Sequence, residues 1–518
     1  MKRLLILCSL FLAVWSLPSR ITHGNPRIIY IPLDNRPVCL EYVQDTATAA
    51  GYPLTVPPTG LISNHRSSGD NEALWKWLEK EAPKAKAAVI ATDSLNYGGL
   101  VASRRHHSTE RSLKKKIDRM KALKANNQGL KLYAFSTIMR TPRQSIGNVE
   151  PDYYQYFGPK IFRLSQLADK EDTSILTGKE AAEKATLLSY IPEDLLHDWN
   201  IRRAINYKTN ERLVTMCHDK DFHYLAVGKD DDAPLSQTHM EARHLEHFGA
   251  GIANHRFQII PGVDQLGLLL VTRAINDING DNPKVYVSYA PGIGGKTIPL
   301  YSDESIHTSA LKQIEAIGGS KVPNPQRANL ILAINTPEDG HCQDSTSNEN
   351  APYASSANKK YVRELASLTK QRPVALADVS YANGADNGFM YELEKKNMLA
   401  DFVAYSGWNT ADNSIGFALA QGQLSHKTSP AARERLLKIR YLDDWIYQAN
   451  VRYRVALVID KHDFKLKYDL GKYYNRVLSS TNNLMSKYVQ DEAFLRGSDY
   501  TIEFPWNRLF EVDVKINK

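Results

Sequence analysis

The stretch "FHYLAVGKDDDAPLS", residues 222–236, combines a short apolar run with three consecutive aspartates. The run Phe222–Gly228 has the length and composition of a buried β-strand. Asp230, Asp231 and Asp232 follow it almost at once. Adjacent carboxylates repel one another, and burying one of them is costly unless it is paired or protonated. Three such groups at the end of a strand therefore predict a functional site that depends on carboxyl groups.

Eight further runs of this kind occur along the chain, and each is followed by polar residues or by Gly and Pro. They are RIIYIPL (27–33), AAVIATD (87–93), LKLYAFST (130–137), RFQIIPG (256–262), KVYVSYA (284–290), NLILAIN (329–335), PVALADV (373–379) and DFVAYSG (401–407). Most are continuously apolar rather than alternating, which is typical of parallel strands covered on both faces. Amphipathic helical patterns such as NEALWKWLEKEA separate them. This alternation predicts an α/β fold with parallel strands.

The fold class that we predict is a (β/α)8 barrel-like α/β domain, with an open doubly wound parallel sheet as the alternative. Nine candidate strands are one more than a barrel needs, so the count leaves both open. The barrel-like catalytic domain is expected over residues 25–427. After residue 428 the pattern changes, and we expect a C-terminal extension, 428–518, made of a helical layer and a small strand pair.

The chain has 518 residues and a net charge of +8, from 65 basic and 57 acidic side chains that are scattered along its length. This pattern does not predict a nucleic-acid interface. Residues 1–24 begin with a basic start and a short apolar core, which predicts a signal peptide and a short N-terminal segment. A retained anchor is the alternative. We therefore expect a periplasmic or extracellular protein without an integral membrane segment after cleavage; the oligomeric state is left open.

Polar residues at the strand ends are the candidate site, because ligands bind at the carboxyl ends of parallel strands. The predicted substrate-binding residues are Asp34, Arg36, Asp93, Asn96, Tyr97, Lys229, Asp264, Asn335, Asp378, Trp408 and Asn409. Carboxylates and amides hydrogen-bond hydroxyl groups, and Tyr97 and Trp408 are expected to stack on a sugar ring. The set fits a neutral, hydroxyl-rich carbohydrate, and no cofactor is predicted.

The three aspartates are the predicted catalytic residues. Neighbouring carboxyls can have different pKa values, so that one is protonated and the other ionised. Cleavage of a glycosidic bond needs such a pair. We expect Asp231 or Asp232 to be the general acid, and Asp230 or the other neighbour to polarise the substrate. Capping of the helix that begins at Ser236, or a metal-binding cluster, are the alternatives.

Two other stretches point to the walls of a pocket. APGIGGKT (290–297) is expected to be a Gly-rich active-site loop, because Pro299 follows too closely for a phosphate loop that opens a helix. SGWNTADNSIGFALAQG (406–422) places small residues along a helix, which indicates either a tightly packed pocket wall or packing of the helix on a sheet.

Five motifs carry a resemblance to a known family: IPLDNRPVC, TDSLNYGGLVASR, GKDDDAPLS, GWNTADNSIG and FPWNRLFEV. Together they resemble the bacterial domain-of-unknown-function family 4127 over nearly the whole mature chain, which implies kinship but no reaction. The Asp-Asp pair at a mid-domain strand end is also similar to O-GlcNAcase-type hydrolases of acetamido sugars, through one short motif.

The function predicted from these observations is that of an exported glycoside hydrolase. It would act on a carbohydrate, with an N-acetylated sugar as one candidate, through an Asp-Asp acid and polariser pair. Two alternatives stay open. One is a metal-dependent hydrolase whose ligands include Asp34, Asp93, Asp230, Asp232 and a histidine. The other is a carbohydrate-binding protein without catalytic activity.

Overall fold

The computed structural model describes residues 25–144, 149–461 and 463–517. The predicted signal peptide, residues 1–24, lies outside the described residues.

Each of the nine predicted runs contains a β-strand. The strands are β1 Ile28–Ile31, β2 Ala87–Ala91, β3 Lys131–Ile138, β4 Tyr224–Lys229, β5 Phe257–Pro261, β6 Lys284–Tyr289, β7 Ser320–Lys321, β8 Leu330–Asn335, β9 Gln343–Asp344, β10 Val374–Asp378, β11 Tyr381–Ala382, β12 Ala404–Ser406, β13 Tyr500–Glu503 and β14 Asp513–Ile516. The predicted runs correspond to β1 to β6, β8, β10 and β12, and the other strands are short or lie at the C-terminus.

Helices connect most of the strands. They are α1 Glu41–Ala49, α2 Asn71–Glu81, α3 Thr92–Asn96, α4 Leu100–Arg105, α5 Glu110–Asn126, α6 Tyr154–Thr173, α7 Gly178–Tyr190, α8 Glu193–His218, α9 Gln237–Phe248, α10 Leu266–Asn279, α11 Ile306–Ala316, α12 Ser356–Leu368, α13 Asn387–Lys395, α14 Ala411–Leu424, α15 Pro430–Arg440, α16 Arg452–Asp460 and α17 Tyr474–Asp491. A π-helical segment, Tyr441–Val451, joins α15 to α16.

The long strands form two parallel five-stranded sheets. Sheet 1 has the order β1-β2-β3-β4-β5, and sheet 2 has the order β12-β10-β8-β6-β7. Within the described residues β5 does not pair with β6, so the strands of the two sheets do not close into one ring. The barrel that we preferred is therefore not what the structure shows, whereas its alternative, an open parallel sheet, fits.

Two helices explain why the sheets stay separate. All fourteen residues of α14 are buried, and most of α10 is buried as well. Helix α10 contacts β1, β2 and β3, whereas α14 contacts β8, β10 and β12. The helices of a barrel form an outer ring with one solvated face. A helix that is buried along its whole length needs cover on every side, and here the two sheets and the neighbouring helices provide it.

Small residues let these inner helices approach the sheets closely. A Cβ atom at Gly422 of α14 would lie 2.5 Å from the Ala375 Cβ of β10, and one at Gly267 of α10 would lie 2.2 Å from the Tyr30 hydroxyl of β1. Within the stretch 406–422, Gly422 thus serves packing of α14 on a sheet, whereas Gly416 lets α14 approach Gln313 of α11 and Gln265.

The outer face of sheet 1 packs on α2, α5, α8 and α9, whose apolar stripes form a second core with alternate residues of β1 to β5. On sheet 2, Ser288 of β6 donates to Glu364 of α12, on the face opposite to α14. The molecule is therefore layered as helices, sheet, helices, sheet and helices, so that each parallel sheet is covered by helices on both faces.

Beyond residue 428 the chain forms helices and one antiparallel strand pair, β13 with β14. The π-helical segment supports the loop after β12, because the Gly407 N–H donates to Asp444 Oδ2 at 2.7 Å. The loop between β13 and β14 reaches β1, where Trp506 Nε1 donates to Asn35 Oδ1 at 2.7 Å.

No helix in the described part of the chain has both the length and the apolar composition needed to cross a membrane.

Candidate functional site

The polar residues that follow the strands of sheet 1 lie together at its carboxyl edge. Residues that follow the strands of sheet 2 also reach this edge. Asn409, after β12, donates to Asp264 Oδ2 at 2.8 Å, and the Tyr301 carbonyl, after β6, accepts from the Asp232 N–H at 3.0 Å. We call Asp34, Arg36, Asp93, Asp230, Asp231 and Asp264 the strand-end site.

Arg36 links the ends of the first and fifth strands of sheet 1. Its Nε donates to both oxygens of Asp34 at 3.0 Å. Its two terminal nitrogens donate to Asp264 at 3.1 and 2.6 Å. All three side chains are buried. Burial raises the pKa of Asp264, and the Arg36 charge opposes that rise. The Arg36 guanidinium is thus paired with both carboxyls, so its first role is to hold the two strand ends together.

Trp506 covers this network from the C-terminal extension. The Arg36 guanidinium lies 5.2 Å from the centre of the Trp506 ring, which is within cation–π distance. Asn409, one of the predicted binding residues, donates to Asp264 at this edge. Among the described residues, its side chain has no second hydrogen-bond partner there.

Asp230 is buried and paired with an arginine from α4. Arg104 donates to Asp230 Oδ2 through Nε at 3.1 Å and through Nη2 at 2.5 Å. Arg104 also lies 3.7 Å from Glu150, a residue that follows β3. This charge-assisted pair places the Arg104 guanidinium beside the Asp230 carboxyl, next to Asp231 in the chain.

Asp231 has a different environment from Asp230. Its side chain is 26% exposed, while those of Asp230 and Asp232 are almost fully covered. Arg140 donates to Asp231 Oδ2 at 2.5 Å. Burial raises the pKa of Asp231; the Asp230 charge adds to the rise, and the Arg140 charge opposes it. The backbone at Asp231 has φ of 38°, in the left-handed region that Asp and Asn tolerate best among residues other than glycine.

Asp232 turns away from the other two. Its Oδ1 accepts the Ser236 hydroxyl at 2.6 Å and the Ala233 N–H at 2.7 Å. Burial and the charge of Asp303 raise the pKa of Asp232 to about 8. Ser236, and none of the aspartates, caps α9. Asp232 therefore supports the turn that precedes this helix.

Lys229 belongs to the same buried group as Asp232. Its Nζ donates to Asp303 and, at 2.6 Å, to Glu304, and it lies 3.9 Å from Asp232. In the described part of the chain, the close partners of the Lys229 Nζ are carboxyl groups of the protein. The Lys229 ammonium is therefore engaged by Asp303 and Glu304 and not free for a substrate.

Asp93 and Asn96 lie on α3, directly after β2, and both are buried. Thr137 donates to Asp93 Oδ1 at 3.2 Å. Among the described residues, Asp93 Oδ2 and both amide atoms of Asn96 have no hydrogen-bond partner. Buried polar atoms are normally paired with protein, water or a ligand. Burial raises the pKa of Asp93 to about 7, and hydrogen bonds from Thr137 oppose the rise.

We predict that Asp93→Asn makes stability less dependent on pH. The unfolded carboxyl ionises above about pH 4, whereas the folded one resists ionisation up to about pH 7. The wild type therefore loses stability as the pH rises between these values, and a neutral Asn does not. The variant should gain about 2 kcal/mol relative to wild type between about pH 5 and pH 8.

Urea unfolding across this pH range measures the difference. Asp118→Asn is the matched control, because the Asp118 side chain is 55% exposed on α5 and its ion pair in the described part of the chain is with Lys114, one turn earlier on the same helix. A difference between Asp93→Asn and wild type that does not change with pH would contradict the prediction.

The two aromatic residues predicted to stack on a sugar are buried against other rings. Tyr97 is 8% exposed and stacks on His106 with ring centres 4.6 Å apart. Trp408 is 2% exposed and packs against Phe510 at 5.4 Å. Both rings thus have protein partners in this arrangement.

Asn335 and Asp378 form a separate network at the end of sheet 2. Asn335 donates to Asp378 Oδ1 at 2.9 Å, and the Asp386 N–H donates to Asp378 Oδ2 at 2.8 Å. Burial and the Asp386 charge raise the pKa of Asp378 to about 7. No direct hydrogen bond or ion pair in the described part of the chain joins Asn335 or Asp378 to Asp230 or Asp231.

The described residues contain no group of three or more His, Cys, Asp or Glu side chains arranged to hold a metal ion. The carboxyls of Asp34 and Asp230 instead face guanidinium groups. The ligand set of the metal-dependent alternative is thus not assembled among these residues.

Sequence reasoning missed several partners that the site depends on. They are Arg104, Glu150, Asp303, Glu304 and Trp506. Trp506 and Arg104 lie within motifs that carried the family resemblance, FPWNRLFEV and TDSLNYGGLVASR, so a signal for both was present. Glu150, Asp303 and Glu304 lie in loops without a recognisable pattern.

Comparison with known proteins finds a family whose model matches most of the chain. A family model described as "Protein of unknown function (DUF4127)" matches residues 28–515, nearly the whole chain. No curated protein and no solved structure matches. The resemblance to acetamido-sugar hydrolases therefore stays a prediction.

Proposed function

The chain belongs to the DUF4127 family, and we propose that it is a glycoside hydrolase that uses Asp231 as its general acid and Asp230 as the charged partner. The proposal is that of an exported enzyme, periplasmic or extracellular, because the pattern of residues 1–24 is typical of a signal peptide.

The observation that carries the proposal is the contrast between these two adjacent carboxyls. Asp230 is buried and balanced by two hydrogen bonds from Arg104. Asp231 is the most exposed of the three aspartates, so a substrate can reach it, and burial raises its pKa against the opposing charge of Arg140, which is the direction that a general acid needs. Hydrolysis of a glycoside needs one carboxyl that donates a proton and one that remains negative.

The chemistry assigned to the pair follows from these environments. The Asp231 carboxyl would donate its proton to the glycosidic oxygen as the bond to the anomeric carbon breaks. The Asp230 carboxylate would polarise the substrate and stabilise the positive charge that develops on the sugar. In an N-acetylated sugar the acetamido group would be the group that Asp230 polarises.

The charge of the site supports a neutral substrate. Three guanidinium groups face five carboxyls, namely Arg36, Arg104 and Arg140 with Asp34, Glu150, Asp230, Asp231 and Asp264. Each guanidinium is already paired, so no excess of positive charge is left for a phosphate or carboxylate ligand. Asp93 and Asn96 have buried polar atoms without a hydrogen-bond partner among the described residues. Carboxyl and amide groups bind sugar hydroxyls well, so these atoms also fit a neutral substrate.

A substrate screen tests the proposal. The purified mature protein is incubated with nitrophenyl glycosides, including N-acetylhexosaminides, and with polysaccharides, each with and without a chelator. We expect release of sugar that the chelator does not change. Activity that the chelator abolishes would instead favour the metal-dependent alternative, and affinity without turnover would favour a binding protein.

A further inference from the structure

The segment Ile293–Tyr301, which follows β6, exposes several large apolar side chains. Ile293 is 48% exposed, Ile298 50%, Leu300 41% and Tyr301 42%. We call Ile293–Tyr301 the rim segment; it overlaps the Gly-rich stretch singled out in the sequence. Exposed apolar side chains are ordinary when single, but four of them within nine residues, in a segment that ends beside a polar site, are consistent with a binding surface.

The rim segment runs from one sheet to the other. The Ile293 N–H donates to the Glu338 carbonyl at 3.0 Å, in the loop after β8 of sheet 2. At the other end the Tyr301 carbonyl accepts from the Asp232 N–H at 3.0 Å, at the carboxyl edge of sheet 1. The segment therefore begins outside the strand-end site. It ends at Tyr301, whose hydrogen-bond partner Asp232 is the neighbour of Asp231 in the chain.

Tyr301 combines an open ring with a neutral hydroxyl. Its backbone has φ of 67°, which is rare for an aromatic residue and is maintained by the surrounding loop. Burial of part of the side chain and the charge of Asp231 raise the pKa of Tyr301 to about 12, so its hydroxyl is a hydrogen-bond donor at neutral pH.

We propose that the rim segment binds sugar units next to the bond that is cut at Asp231, and that the substrate is therefore an oligosaccharide or polysaccharide. Sugar rings present apolar C–H faces that pack on aromatic and aliphatic side chains, while their hydroxyls reach polar groups at the edge. A substrate of one sugar would occupy the strand-end site and leave most of the rim segment uncovered. This inference rests on the proposed function and adds the substrate class.

Tyr301→Ala tests the inference with two substrates of the same sugar, a nitrophenyl monosaccharide and an oligosaccharide. We expect kcat/KM for the oligosaccharide to fall about tenfold, because one aromatic contact is lost. The monosaccharide value should stay within about twofold, since the strand-end site is unchanged. Tyr301→Phe keeps the ring and removes only the hydroxyl, so it should lose less activity on the oligosaccharide than Tyr301→Ala. Tyr391→Ala is the control, because Tyr391 is 47% exposed on α13, outside the site.

Affinity electrophoresis in gels that contain the polysaccharide separates failure of this inference from failure of the proposed function. If wild type is retained and Tyr301→Ala is not, the rim segment binds sugar even where no hydrolysis is found. If Tyr301→Ala and Tyr391→Ala hydrolyse the oligosaccharide equally well, the inference is overturned and hydrolysis stands. It is also overturned if no polysaccharide retains the wild type. A third result would overturn it as well: if Tyr301→Ala changes only the molecular mass of the purified protein in analytical ultracentrifugation, the surface is a contact between copies of this chain.

Discussion

Asp231→Asn is expected to lower kcat on a glycoside with a poor leaving group about a thousandfold, while the protein keeps its fold. Asn cannot donate the proton that the departing oxygen needs. It can still accept from Arg140, and it tolerates the φ of 38° at this position. Stability should therefore change little, and the loss should lie in the chemical step.

Leaving-group dependence distinguishes a general acid from a residue that only shapes the site. A dinitrophenyl group leaves without protonation, so its hydrolysis by Asp231→Asn should fall far less than that of an alkyl glycoside. The fall of the wild-type rate at high pH, where Asp231 loses its proton, should disappear in the variant. An equal loss with both leaving groups would show that Asp231 is not the acid.

Asp230→Asn provides the contrast within the same pair. It removes the nearer of the two carboxyl partners of the buried Arg104 and leaves Glu150 at 3.7 Å, so it should lower both stability and activity. Asp118→Asn on the surface of α5 should change neither. If Asp231→Asn turns over a proven substrate as fast as Asp118→Asn, the strand-end site is not the active site.

Arg36→Ala is expected to lower the free energy of unfolding by about 3–5 kcal/mol. The substitution leaves Asp34 and Asp264 buried without their shared guanidinium, and it removes one of the two guanidinium groups that lie over Trp506, Arg508 being the other. Because burial already raises the pKa of Asp264, protonation relieves part of this cost at low pH. The destabilisation should therefore grow as the pH rises, and thermal unfolding at several pH values measures it.

Arg66→Ala is the matched control for the buried arginine. Arg66 makes a two-bond pair with Asp469 that resembles the Arg36–Asp264 pair, but the Arg66 side chain is 65% exposed. Exposed pairs contribute about 0–1 kcal/mol, so the control should be nearly neutral and independent of pH. Equal effects of Arg36→Ala and Arg66→Ala would contradict the role assigned to burial.

The strands show where sequence reasoning succeeds. Each continuous apolar run corresponds to a strand, because a parallel strand buried on both faces must be apolar along its whole length. The preferred barrel is not what the structure shows, because the strands form two sheets with α10 and α14 between them. A signal for that was present in LGLLLVTRAIN, residues 266–276, which has too little polar surface for an outer helix of a barrel.

The candidate site shows the opposite balance. Its aspartates could be predicted from their position after strands, but their partners could not. Arg104 lies 126 residues before Asp230, and Asp264 lies 228 residues after Arg36. The exposure that separates Asp231 from its neighbours depends on these distant partners.

The sequence by itself determined the parallel α/β class, the nine strands and the placement of acidic residues at their carboxyl ends, because periodicity and composition act over a few neighbouring residues. Only the tertiary structure decided that the strands form two sheets around α10 and α14. It also decided that Arg36 joins Asp34 to Asp264, and that Asp231 alone of the three aspartates is open. Those outcomes depend on which surfaces cover one another, and burial, which sets the charge of each carboxyl, is a property of the assembled layers.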